Sequence, residues 1–244
     1  MDLDRFAEQH APNDSADQFD LENEKLLDIA VDGSVMTKAG SMVAYDGDLS
    51  FTGKSSAEGG LKGVVKSKLT SEGTPIMQAE GSGHLYVADQ GKNIQVLDLD
   101  AGEELSVNGE DILAFESRVD YSIGMIDSLS GVSTGGLTNV FLEGPGKVAI
   151  TTHGHPVVLE PPVRTDPDAT VAWSTTSPSS NVDRNLKNMV GQSSGESFQL
   201  DFTGSEGFVV VQPFEESGAP QQTTGEGGSG GGESPGLGDL IGGI

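Results

Sequence analysis

The chain of 244 residues has no cysteine, so disulfides, thiolate metal sites and a cysteine nucleophile are excluded. Basic residues are scarce: 13 Lys and Arg stand against 38 Asp and Glu, a net charge of −25. A phosphate backbone must be met by clustered cations, so nucleic acid is a poor partner for such a surface. Aromatics make up only 5% of the residues, with a single tryptophan, Trp173. No run approaches the roughly 18 apolar residues of a membrane span. The start, MDLDRFAEQH, lacks the basic residues and apolar stretch of a signal peptide. These absences predict a cytoplasmic protein. The acids are spread along the whole chain, which fits a surface adapted to a salty cytoplasm, where screening quiets self-repulsion.

Glycine, by contrast, is abundant, and it punctuates a β pattern. Residues 1–18 form an acidic leader with no sustained apolar period, read as mobile or as a loosely docked short helix. From Phe19 onward apolar and polar residues alternate between Asp-Gly and Ala-Gly pairs, which are hairpin signals. Strands are expected at 19–22, 26–31, 34–38, 42–46 and 49–52. The stretch GGLKGVVKSKL is the one helix-like piece of the first third, with Leu61, Val64, Val65 and Leu69 on one face. Beyond Phe214 comes ESGAPQQTTGEGGSGGGESPG, a Gly/Ser/Glu linker composition, ending in the short apolar LGDLIGGI. The domain boundaries read as a leader at 1–18, a β domain at 19–216 and a disordered tail at 217–244.

Two motifs recur in fixed order. AGSMVAY, NGEDILAF and DPDATVAW each place a turn before an apolar strand ending in Ala-aromatic. Each is followed by a glycine motif taken to join two strands: Gly81-Ser82-Gly83, Gly144-Pro145-Gly146 and Gly204-Ser205-Glu206-Gly207. The spacing of about sixty residues predicts one β unit repeated three times, and so an all-β body with pseudo-threefold symmetry.

The motifs AGSMVAYDGDLSF, GGLKGVV, GSGHLYVAD, LEGPGKVAITT and FTGSEGFVVVQ together resemble the family named for altered inheritance of mitochondria protein 24, over about residues 19–214. The resemblance implies a β-barrel or prism similar to the tryptophan RNA-binding attenuation protein fold, with one or two short helices in loops. It brings no catalytic residues and no cofactor. Where members of that family often carry an Arg-Asn-Pro-like turn, this chain has His153-Gly154-His155-Pro156.

His153 and His155 could share a metal if they lay on a strand. Laying Gly83 over Gly146 sets Gln90-Gly91-Lys92 opposite them, which favours a solvated turn. GLKGVV and GPGK lack the full phosphate-loop pattern, and no GxSxG elbow occurs. No catalytic, cofactor or metal residues are assigned, and the chain reads as a non-enzyme.

One cluster stands out. The segment before each glycine motif carries apolar residues: Leu61, Val64 and Val65; then Ile123, Met125, Ile126 and Leu129; then Leu186, Met189 and Val190. Six of the chain's bases, Lys54, Lys62, Lys66, Lys68, Arg184 and Lys187, fall in the first and third of these segments. A basic–apolar end could dock to an anionic membrane surface or to an unknown protein partner, with Leu61, Lys62, Val64, Val65, Lys66, Lys68, Arg184 and Lys187 as the contact residues. The expected function is therefore a non-catalytic scaffold or interaction protein, peripheral at a membrane through that end. The alternatives are a small-ligand- or RNA-binding β module and, third, a metal-dependent enzyme. Homo-oligomerisation is left open.

Overall fold

The computed structural model describes residues 1–54, 76–126, 138–181 and 199–215. The leader holds one helix, α1 (Leu3–Gln9), whose first turn is capped by the Asp2 carboxylate accepting from Arg5 N–H at 2.9 Å. None of its residues is buried, so no packing adds to that cap.

The rest is β. In chain order the strands are β1 (Phe19–Asn23), β2 (Leu26–Lys38), β3 (Met42–Tyr45), β4 (Asp48–Lys54), β5 (Ile76–Val87), β6 (Asn93–Leu99), β7 (Glu104–Asn108), β8 (Ile112–Glu116) and β9 (Asp120–Met125). They continue with β10 (Thr138–Glu143), β11 (Gly146–Thr152), β12 (Val157–Leu159), β13 (Val163–Thr165), β14 (Thr170–Ser174), β15 (Ser179–Asn181), β16 (Gln199–Phe202) and β17 (Phe208–Val211). The first sheet runs β3-β5-β2-β8-β11-β6, with β1 added on β2 and β4 on β5. The second runs β12-β17-β14-β7-β10-β9, and the third β13-β16-β15. The all-β expectation holds. The expected barrel does not: among the described residues the strands lie in three sheets and none closes on itself.

The glycine motifs explain the difference. They were expected to join paired strands, but β10 and β11 do not pair across Gly144-Pro145-Gly146. The chain leaves the second sheet there and enters the first. At Gly204–Gly207 it passes from the third sheet to the second. Gly81 and Gly83 are not a turn at all, because β5 runs straight through them. Both have positive φ, +138° and +155°, and a Cβ on either would run into the backbone carbonyl of Asp48 or Asp46. Asp32-Gly33 is likewise no hairpin. β2 continues through it, with Gly33 in register opposite Gly81. An Asp-Gly hairpin of type I′ needs positive φ at both central residues and one of type II′ needs it at the first, and here only Gly33, the second, has it.

Packing follows the alternation. β8 is buried along its whole length, as a strand covered on both faces must be. Its Ile112 and Phe115 join Leu105, Val107, Val140, Leu142 and Val148 between the first two sheets. Its Leu113 and Ala114 join Leu27, Ile29, Leu85 and Val87 on the opposite side. Trp173 and Val209 of the second sheet pack with Leu200 and Phe202 of the third and with Ile126. Each large apolar side chain removed from water in this way contributes roughly 1.5–3 kcal/mol.

The three Ala-aromatic motifs have one local geometry. Ala44 and Tyr45 face Tyr86 and Leu85; Ala114 and Phe115 face Ala149 and Val148; Ala172 and Trp173 face Val210 and Val209. In each pairing the register shifts beside the alanine pair. Equivalent backbone bonds follow: Ala88 N–H donates to Ser41 O at 2.9 Å, Thr151 N–H to Asp111 O at 2.8 Å and Gln212 N–H to Ala169 O at 2.9 Å. Beside two of the motif glycines, Gly83 and Gly146, a carboxylate accepts the next amide, His84 N–H to Asp46 Oδ1 at 3.2 Å and Lys147 N–H to Glu116 Oε2 at 2.6 Å.

A candidate binding groove on the second sheet

Antiparallel pairing sets β7, β10 and β9 side by side, and their register brings three acids into one row. Glu143 on β10 stands opposite Glu104 on β7 and opposite Asp120 on β9. Two residues further along the same face, Phe141 stands between Ser106 and Ser122. β14 extends that second row, with Trp173 opposite Ser106. The alternate residues Leu105, Leu142 and Tyr121 turn inward to the core.

These side chains line a groove of about 430 Å³, a size that suits a small ligand or a few side chains of a partner. Phe141 is partly exposed on its floor, and Trp173, edge-on to Phe202 at 5.6 Å, closes one side. The lip is Thr175-Thr176-Ser177, where Thr175 has φ +61°, a left-handed conformation that costs a β-branched residue energy. Ser174 Oγ–H ties this lip to Glu104 O at 2.6 Å. On the floor, buried Ser106 Oγ accepts from Asn139 Nδ2–H at 3.0 Å.

Like charges directly opposite one another in a sheet repel. Among the described residues, none that lines the groove is Lys, Arg or His. The site therefore offers negative charge, hydroxyls and an aromatic face together, a donor set that suits a cation with an apolar stem.

Two other polar clusters lie elsewhere. Buried Asp28 holds the His84 ring, with Nδ1 at 2.9 and 3.1 Å from its two oxygens. Burial raises the Asp28 carboxyl above its ordinary range; the bond and charge of His84 pull it down, and Glu22 and Asp20 push it further up. His84 also stacks on Tyr86 at 6.4 Å. The second cluster joins Lys38, Asp89 and Glu110 to Lys92 and Asp111, where three turns meet.

His153 and His155 fall in the turn between β11 and β12. His153 N–H donates to Gln212 Oε1 at 2.8 Å, its ring lies 4.0 Å from that of Phe214, and His155 is exposed. Among the described residues no group of three or more His, Asp or Glu is placed to hold a metal ion.

The eight docking residues, Leu61, Lys62, Val64, Val65, Lys66, Lys68, Arg184 and Lys187, lie outside the described residues. Of the second segment, Ile123 packs on the core and Ile126 is buried beside Trp173, while Met125 is exposed. The groove itself was not foreseen. Its acids come from strands whose mutual register cannot be read from the chain.

A family model described as mitochondrial biogenesis AIM24 matches residues 19–214. The chain belongs to that family. The AIM24 match covers the span over which the five sequence motifs lie. The crystal structure of protein SPYM3_0169 from Streptococcus pyogenes is similar to this chain, with a TM-score of 0.62 and 23% sequence identity over 81% of this chain and 92% of that one. At that identity the likeness speaks for the AIM24 chain's fold alone. No curated protein matches it significantly. Among the described residues no helix is long and apolar enough to cross a membrane.

Proposed function

We propose that this protein acts by binding rather than by catalysis, as a scaffold or interaction protein whose groove takes a cationic segment of a protein partner. The row Glu104, Glu143 and Asp120 beside the Phe141 face carries this reading. A lysine or arginine laid along it relieves the repulsion between the acids, and its stem covers the aromatic floor. The same row works against RNA, whose phosphates it repels; a small organic cation is the competing occupant.

Trp173 lines the groove and is the chain's sole tryptophan, so its emission reports occupancy. A short Lys/Leu peptide should shift that emission saturably, and Glu143→Gln should weaken binding several-fold. An unmoved spectrum at millimolar peptide, or equal binding of a Glu/Leu peptide, would sink the reading.

The basic–apolar segment 54–69 gives the same protein a second contact, peripheral at an anionic membrane surface of the cytoplasm. Its support is the gathering of lysines in an otherwise acidic chain. Changing Lys62, Lys66 and Lys68 to Glu should abolish flotation with anionic liposomes and leave the circular dichroism unchanged; undiminished flotation counts against it. We also read the three Ala-aromatic units as copies of one ancestral unit in the manner of the attenuation-protein fold, and the dispersed acids as an adaptation to high salt.

A further inference from the structure

Met42, Val43 and Tyr45 are 40, 59 and 50% exposed, an apolar run along the outer edge of the first sheet. At the same places in the other two units apolar residues are buried. Leu113 and Phe115 are 0% exposed, Val171 is 0% and Trp173 is 4%.

The difference is a neighbouring strand. β8 has β2 on its second side, with Met36 opposite Phe115 and Thr37 opposite Ala114. β14 has β7, with Ser106 opposite Trp173 and Val107 opposite Ala172. In both cases the neighbour comes from the preceding unit. Met36 stands nine positions before Tyr45, as Ser106 stands nine before Phe115. The residue nine before Trp173 is Arg164, on β13. Among the described strands β13 pairs with β16 alone and β3 with β5 alone, so each keeps one open edge.

We propose that these two edges complete each other between copies of the chain. β13 of one copy adds antiparallel to β3 of the next, with Arg164 opposite Tyr45 and Thr165 opposite Ala44. Backbone amides and carbonyls on both edges supply the ladder, as in strand addition generally. The Arg164 stem covers the Tyr45 ring, and its guanidinium, now exposed and 3.2 Å from Asp201, can rest on the ring face. Such a contact joins unlike surfaces, so it builds a ring where the rotation closes and an open array where it does not. At −25 per copy, screening by salt favours the association. The inference rests on the equivalence of the three units and not on the groove.

The absence of cysteine makes the test clean. Chains carrying Tyr45→Cys are mixed with chains carrying Arg164→Cys and oxidised at high salt. Opposed residues of an antiparallel pair lie within disulfide reach. A covalent heterodimer should form in the mixture and in neither variant alone. The double variant should give covalent multimers. No cross-link in the mixture, or a double variant that closes only on itself at monomer mass, overturns the proposal. Val43→Lys tests the edge without cross-linking: a folded variant should sediment as a smaller species than the parent, and one that sediments identically also overturns it. Peptide binding at Trp173 is scored separately, so either reading can fail alone.

Discussion

Lys92 Nζ lies 2.9 Å from Asp111 Oδ1, with both side chains almost wholly out of water. Beside them Lys38 bridges Asp89 Oδ2 at 3.0 Å and the Glu110 carbonyl at 2.8 Å. These ions tie together the turns that follow β2, β5 and β7. A buried pair is weak evidence of net stabilisation, because desolving two charges offsets their attraction, but breaking it strands a charge. Lys92→Met should therefore cost about 3–5 kcal/mol in urea unfolding. Lys92→Met with Asp111→Leu should regain most of the loss. A single variant as stable as the parent would refute the account.

Gly33 and Gly81 face each other across β2 and β5 and both have positive φ, yet their surroundings differ. A Cβ on Gly33 meets nothing within 4 Å, whereas one on Gly81 meets the Asp48 carbonyl. Gly33→Ala should thus show only conformational strain, roughly 1–2 kcal/mol. Gly81→Ala should cost clearly more, because β4 must also give way. Equal losses in thermal unfolding would mean that close approach of the backbones is not what requires glycine in β5.

That contrast shows what the sequence could and could not disclose. Ala44-Tyr45, Ala114-Phe115 and Ala172-Trp173 were legible as strand ends, since each closes an apolar run after a turn. The glycines beyond them were legible as special backbone but not as corners. A positive φ serves a hairpin, a kink and a sheet crossing alike, and only the distant pairing partners decide which. The second sheet's groove was hidden for the same reason. Glu104, Asp120 and Glu143 lie far apart in the chain, and each is an unremarkable acid among 38 until the register sets them in line. Asp28 was hidden as well, because its burial depends on β1 and β5 closing over it.

Asp28 gives the fold a pH dependence of definite sign. Its carboxyl is raised in the folded state, chiefly by burial, with Glu22 and Asp20 of β1 adding to the rise and His84 of β5 opposing it. The folded state then holds the proton more tightly than the unfolded chain. That contribution is fully present below the unfolded carboxylate pKa and is lost as pH rises through the folded one. At neutral pH the charge is a burden, so Asp28→Asn should raise the melting temperature there and lose its advantage as pH falls through the carboxylate range. Melting curves from pH 3 to pH 8 decide it; an advantage that grows toward acid would show that the His84 bond outweighs burial.

Glu143 is the middle member of the acid row and faces a carboxylate on each side, so of the three it has the most opposed like charges. Opposed like charges in a sheet are destabilising, and at exposed positions such as these by about 0.2–0.5 kcal/mol per pair. Glu143→Gln should therefore stabilise the unliganded chain by up to about 1 kcal/mol at low salt, from its two neighbours, and by much less at molar salt, where the Debye length is about 3 Å. Glu104→Gln removes only one opposed pair and should gain about half as much. Urea unfolding at two salt concentrations separates this from a packing effect, which salt would leave alone. The same substitution should weaken the cationic peptide. Stability rising as affinity falls is the pattern of a binding site held in repulsion until its ligand arrives, whereas a purely structural acid would lose stability or change nothing.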